Sequence, residues 1–96
     1  MKRAYELGFI VRLDSNEEVI NDSVSQVQTW VEANELGQVT KIDRWGRRKL
    51  AYEIDKQRDG YYVFMYADID PDNLPELERN LKLSTSVLRY LIVLAE

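Results

Sequence analysis

The 96-residue chain contains no cysteine and no histidine. Without cysteine there can be no disulfide, no thiol nucleophile and no thiolate metal site. Without histidine the commonest general base and metal ligand is missing, and nothing is left to activate the serines. Proline occurs twice and glycine four times, and no repeat, low-complexity tract or long linker is visible. No stretch approaches the ~20 apolar residues that span a bilayer. Met1 to Val11 carries Lys2 and Arg3 ahead of apolar residues, but Glu6 interrupts the run and Arg12 and Asp14 follow it. With no small-residue cleavage site, a signal peptide is not expected. These absences exclude the usual catalytic constellations. They predict a soluble, intracellular protein that is not an enzyme, with no cofactor, metal or small-molecule substrate.

What is present suits one globular domain over residues 1–96: 45% hydrophobic and 31% charged residues, enough for a single core. The formal net charge is −4, but the charges are segregated. Asp14 to Leu36 holds six acids and no Lys or Arg, whereas Lys41 to Arg58 holds seven bases against three acids. A phosphate backbone responds to the local field rather than the sum, so the middle of the chain is the candidate nucleic-acid side.

Tyr5, Leu7, Phe9, Val11 and Leu13 alternate with a mixed set, which marks a strand covered on one side. Ser15-Asn16-Glu17-Glu18 reads as a capping box with Ser15 as the N-cap. Ile20, Val24, Val27 and Val31 then form the stripe of an amphipathic helix, closed by Asn34 and Gly37. Gln38 to Ile54 is extended, with Gly46 marking a bulge or bend. Asp55 to Gly60 reads as a polar hairpin connection longer than two residues. In Tyr61 to Ile69, Val63, Met65, Ala67 and Ile69 share one face, and Tyr62, Phe64 and Tyr66 the other. Asp70-Pro71 opens a second helix with Leu74, Leu77 and Leu81 on its buried stripe. Val87 to Leu94 is a last strand, apolar apart from Arg89.

The order is βαββαβ. Right-handed crossovers place both helices on the same sheet face. The fold class is therefore α+β, a ferredoxin-like split-βαβ domain with a four-stranded antiparallel sheet of order 4-1-3-2. The opposite sheet face is left uncovered.

Three chemical readings fail on the residues. Asp68, Asp70 and Asp72 imitate the start of a calcium loop, but Asn73 stands where glycine is needed and Arg79 where glutamate is needed. They read as acids at a helix N-terminus. An acylphosphatase would need a Gly- and Arg-bearing phosphate loop where this chain has the acidic Asp14-Ser15-Asn16-Glu17-Glu18. Asp59 to Tyr66 echoes an RNA-recognition-motif strand, yet its stacking positions fall on Tyr61 and Val63, which alternation turns inward.

Two features remain. Tyr62, Phe64 and Tyr66 form an aromatic ridge on the open face, near Ile10 and Trp45. It reads as a protein-partner site or as an inert, partly covered sheet face. Arg44-Trp45-Gly46-Arg47-Arg48-Lys49 places four bases in six residues around one aromatic. It reads as a phosphate grip, since guanidinium forks suit phosphate, or as charge that blocks edge-to-edge pairing.

Tyr5-Glu6, the run Trp45-Gly46-Arg47-Arg48-Lys49-Leu50-Ala51-Tyr52-Glu53-Ile54 and Gly60-Tyr61-Tyr62 together resemble the bacterial small-subunit ribosomal protein six family. The likeness spans nearly the whole chain in order and spacing. It implies a ferredoxin-like scaffold protein of the cytoplasmic ribosome that pairs with small-subunit protein eighteen. It also implies binding to the central domain of small-subunit ribosomal RNA, without catalysis. Carried onto this chain, the RNA-side residues are Arg3, Arg44, Arg47, Arg48 and Lys49, with Arg79, Lys82 and Arg89 as additions. Ser84-Thr85-Ser86 stands where family members often carry a denser basic cluster. A monomer is expected in isolation. The alternative is a regulatory domain that never meets RNA and dimerises through its open sheet face.

Overall fold

A computed structural model describes residues 1–96. The elements are β1 (Arg3–Val11), α1 (Glu17–Val31), β2 (Gly37–Ile54), β3 (Gln57–Ile69), α2 (Leu74–Leu83) and β4 (Val87–Leu94). Single 3-10 turns at Ala33–Glu35 and Pro71–Asn73 follow α1 and precede α2. The sheet order is β2-β3-β1-β4, all neighbours antiparallel, which is the ferredoxin-like arrangement expected from right-handed crossovers. No helix is long and apolar enough to cross a membrane.

The core lies between the sheet and both helices. Leu7, Phe9, Val11, Val63, Met65, Ala67 and Ile69 from the central strands meet Ile20, Val24, Val27 and Val31 of α1 and Leu77 and Leu81 of α2. These are the positions that period-two and helical spacing select. Leu74 is only half-buried, because the first turn of the second helical segment is 3-10 and the α2 stripe begins later. Asp70 caps that turn by accepting from the Asp72 N–H at 3.0 Å.

Several local expectations are corrected. Asn16, not Ser15, is the N-cap of α1: its side chain accepts from the Glu18 N–H at 2.9 Å, while Asp14 accepts from the Asn16 N–H at 2.8 Å. Asparagine caps as well as serine does, and the loop enters the helix one residue later than the capping box implies. α1 ends before Asn34 and Glu35, both left-handed (φ 57° and 59°), so Gly37 opens β2 instead of closing the helix. The hairpin connection is two residues, not six. Asp55 and Lys56 have φ of 48° and 63°, the double-positive geometry of a turn that matches strand twist. Buried Asn73 ties the two helices together by donating to the Val31 carbonyl at 3.1 Å, which satisfies a backbone acceptor that the end of α1 leaves orphaned.

Candidate nucleic-acid interface

The basic cluster sits on β2, an edge strand, and a bulge splits it. Pairing with β3 slips between Arg44 and Gly46, where Gly46 takes φ +81°, a conformation open to glycine without a Cβ penalty. Arg44 stands opposite Val63 and Arg47 opposite Tyr61, both on the helix-covered side, whereas Arg48 stands opposite Gly60 on the open side. Lys49, opposite Asp59, follows Arg47. Four neighbours in sequence thus address two faces of one edge.

All four side chains are exposed. Arg47 reaches Asp59 at 2.9 Å but stays 71% exposed, so this is a screened surface pair of about 0–1 kcal/mol. Arg44 donates to the neutral Asn21 side-chain oxygen at 2.5 Å. Arg48 lies 5.7 Å above the Trp45 ring, a contact that orients the guanidinium without spending its charge. Arg44 and Arg47 line a cleft of about 700 Å³ against the loop entering α1. Asp14 and Glu17 line the same cleft, and their charge opposes anions there.

The other basic candidates do not converge on this edge. Arg89 lies on the open side of β4, opposite Ile10, with its guanidinium 5.0 Å over the Tyr52 ring. Arg79 and Lys82 are exposed on α2, which packs toward β4, and Arg79 pairs with Glu76 at 3.9 Å. Arg89 and these two stand on opposite sides of the sheet: strand alternation points Arg89 to the open face, whereas α2 lies on the other. Arg3 stands opposite Ile69 while Arg47 stands opposite Tyr61, eight residues along β3, or roughly 26 Å at strand rise. Arg3 is also occupied, since its Nε donates to Glu96 at 2.5 Å. Together with the Ala4 N–H, that arginine holds the Glu96 carboxyl below its ordinary pKa.

The open face is a ridge with its own cover. Trp45 packs on Phe64 with ring centroids 4.6 Å apart, and Lys41 lies 5.7 Å over Tyr66. Tyr62 pairs across to Ile10. Between this ridge and β4 runs an apolar groove of about 460 Å³ that includes Gly8, Ile10, Tyr62, Phe64, Leu91 and Val93. Glycine at 8 makes room for the Phe64 ring, since a Cβ there would stand 2.8 Å from Cε1.

Sequence reasoning missed the arm that reaches over this face. The hairpin tip curls across the sheet. Arg12 pairs with Asp55 and donates to the Thr85 carbonyl at 3.2 Å, while Leu50 is buried outside the main core. The alternation of Leu50, Tyr52 and Ile54 was the available signal, but how far the tip curls depends on the bulges in β2.

Known proteins agree with this geometry. The family model described as Ribosomal protein S6 matches residues 4–94. The small ribosomal subunit protein bS6 of Moorella thermoacetica is 42% identical over 94 residues, covering 98% of this chain and 95% of its own. That of Alkaliphilus metalliredigens is 42% identical over 89 residues, covering 93% of each. The crystal structure of 30S ribosomal protein S6 from Thermotoga maritima superposes with a TM-score of 0.90 at 33% identity, covering 99% of this chain and 89% of that one. The chain belongs to the ribosomal protein S6 family, a family of structural components of the small ribosomal subunit rather than of enzymes.

Proposed function

We propose that this protein binds the central domain of small-subunit ribosomal RNA through the β2 edge, jointly with ribosomal protein eighteen, on the cytoplasmic ribosome. One observation carries the reading. Arg44, Arg48 and Lys49 are exposed and no carboxylate pairs with them, and Arg47 meets only a screened one. Arg44, Arg47, Arg48 and Lys49 grip phosphate oxygens, with guanidinium forks supplying the directional bonds. Arg3, Arg79, Lys82 and Arg89 stand too far apart to share that grip and act as peripheral contacts. Trp45, Tyr62, Phe64 and Tyr66 receive the partner protein. A half-covered aromatic surface gains by further desolvation without the monomer being unstable alone. The isolated chain is a monomer.

The test is a salt titration of binding to a central-domain RNA fragment with protein eighteen present. Few phosphates are contacted, so affinity is modest and falls with salt in proportion to their number. The Arg47→Ala/Arg48→Ala protein should bind more weakly, with the slope of log affinity against log salt shallower by roughly one to two. An unchanged slope removes these residues from the RNA side. In sedimentation, a tight homodimer built on Tyr62, Phe64 and Tyr66 would favour the dimerising alternative instead.

A further inference from the structure

The hairpin tip presents one aromatic ring that neither the core nor the ridge absorbs. Tyr52 is 58% exposed, although the tip around it is anchored by the buried Leu50 and by the Arg12–Asp55 pair. The Arg89 guanidinium covers one side of the Tyr52 ring at 5.0 Å, so the exposed area belongs to the other side and the rim. Trp45 differs: it is nearly as exposed, at 54%, but lies between Phe64 and Arg48. The charge around Tyr52 is favourable for an anionic polymer. Glu53 is held by Arg58 at 3.9 Å and Asp55 by Arg12. Lys56, exposed at the turn, and Arg89 have no carboxylate partner.

We infer that Tyr52, steadied by Arg89, is a stacking platform for one unpaired RNA base. This rests on the RNA-binding reading above and adds a contact of a different kind. Phosphate contacts are made on the β2 edge and are weakened by salt. A base stacked on a phenol ring is an apolar and dispersive contact that accepts any base. Arg89 fixes the ring and places a positive charge beside the phosphate flanking that base. An aromatic side chain already held in one orientation loses little freedom on stacking.

The two kinds of contact separate experimentally. The full chain with protein eighteen is titrated against a central-domain RNA fragment carrying 2-aminopurine at single unpaired adenines. The unaltered protein and Tyr52→Phe should quench at least one probe position. Tyr52→Leu, which keeps an apolar side chain on the tip, should abolish that quench and weaken binding roughly tenfold. Its salt slope and thermal midpoint should match those of the unaltered protein. Equal affinity and quench for Tyr52→Leu would overturn the platform. So would an affinity loss reproduced with protein eighteen alone, which would make Tyr52 a protein contact. If the unaltered complex shows no salt-dependent binding at all, the RNA reading fails first and the platform falls with it. A failure confined to Tyr52→Leu leaves the β2 edge untouched.

Discussion

On the helix-covered side of β1 and β3, Leu7, Val11, Val63, Met65 and Ile69 are at most 1% exposed. On the other side of the same two strands, Ile10, Tyr62, Phe64 and Tyr66 stay half-exposed, and cations hover over the neighbouring rings. One side has shed its water completely, which is where the hydrophobic contribution to folding resides. The other has shed only part and leaves apolar area open to water. Period-two alternation lets one strand serve both ends without compromise. On the proposed reading of the open face as a partner surface, stability and recognition are separable by face, and substitutions in adjacent rows of the sheet should show the stability half of that division.

The largest contrast uses one substitution twice. Leu7 sits opposite Ile92, and Leu91, one residue along β4, sits opposite Gly8 and is 66% exposed. Leu7→Ala should lower unfolding free energy by about 2–5 kcal/mol through lost burial and a residual cavity, whereas Leu91→Ala should stay within about 0.5 kcal/mol. Urea denaturation of the two variants reads this directly, and comparable losses would break the division by face. A smaller effect sharpens it. A Cβ at Gly60 would collide with the Ile10 Cγ2, as one at Gly8 would with the Phe64 ring, so the open face is tightly packed at its glycines. Gly60→Ala should cost about 1–3 kcal/mol. The same change in an Ile10→Ala background should cost much less, because the atoms that collide would be gone. An equal cost in both backgrounds would place the strain in the backbone and not in the Ile10 methyl.

The parts legible in sequence are those governed by periodicity. The alternation of Leu7, Phe9 and Val11 and of Val63, Met65 and Ala67 identified the buried face, and the stripe from Ile20 to Val31 identified the helix that covers it. Strand order followed from crossover handedness, which no individual residue encodes. The illegible parts depend on pairings that one strand cannot announce. Asp55-Lys56 makes a two-residue turn without the glycine that signals one. Asn73 finds the Val31 carbonyl 42 residues away. The basic run looked like a single patch because its division between faces arises from a slip against β3. Tyr52 meets Arg89 only because the tip curls over the sheet.

The smallest expected effect lies at the end of the sheet, where neither face contributes. Arg3 holds Glu96 beside the start of β1, and Asp70 accepts from the Asp72 N–H and from the N-terminal ammonium at 3.2 Å. The Arg3 hydrogen bond pulls the Glu96 carboxyl below its usual 4.5. The Asp72 N–H, with the ammonium behind it, pulls Asp70 below its usual 3.8. A carboxyl with a depressed folded-state pKa favours the native state above its unfolded value and loses that contribution as pH falls through the folded one. Stability should therefore be flat in this respect above about pH 5 and decline below the two usual values. Glu96 is exposed and Asp70 partly so, so salt should blunt the decline. The Glu96→Gln/Asp70→Asn protein should show a shallower fall in urea midpoint between pH 5 and pH 3 than the unaltered chain, with the two curves converging at the acid end. If both proteins lose stability in parallel, the acid response originates in carboxylates elsewhere and the clasp at the strand ends contributes nothing measurable.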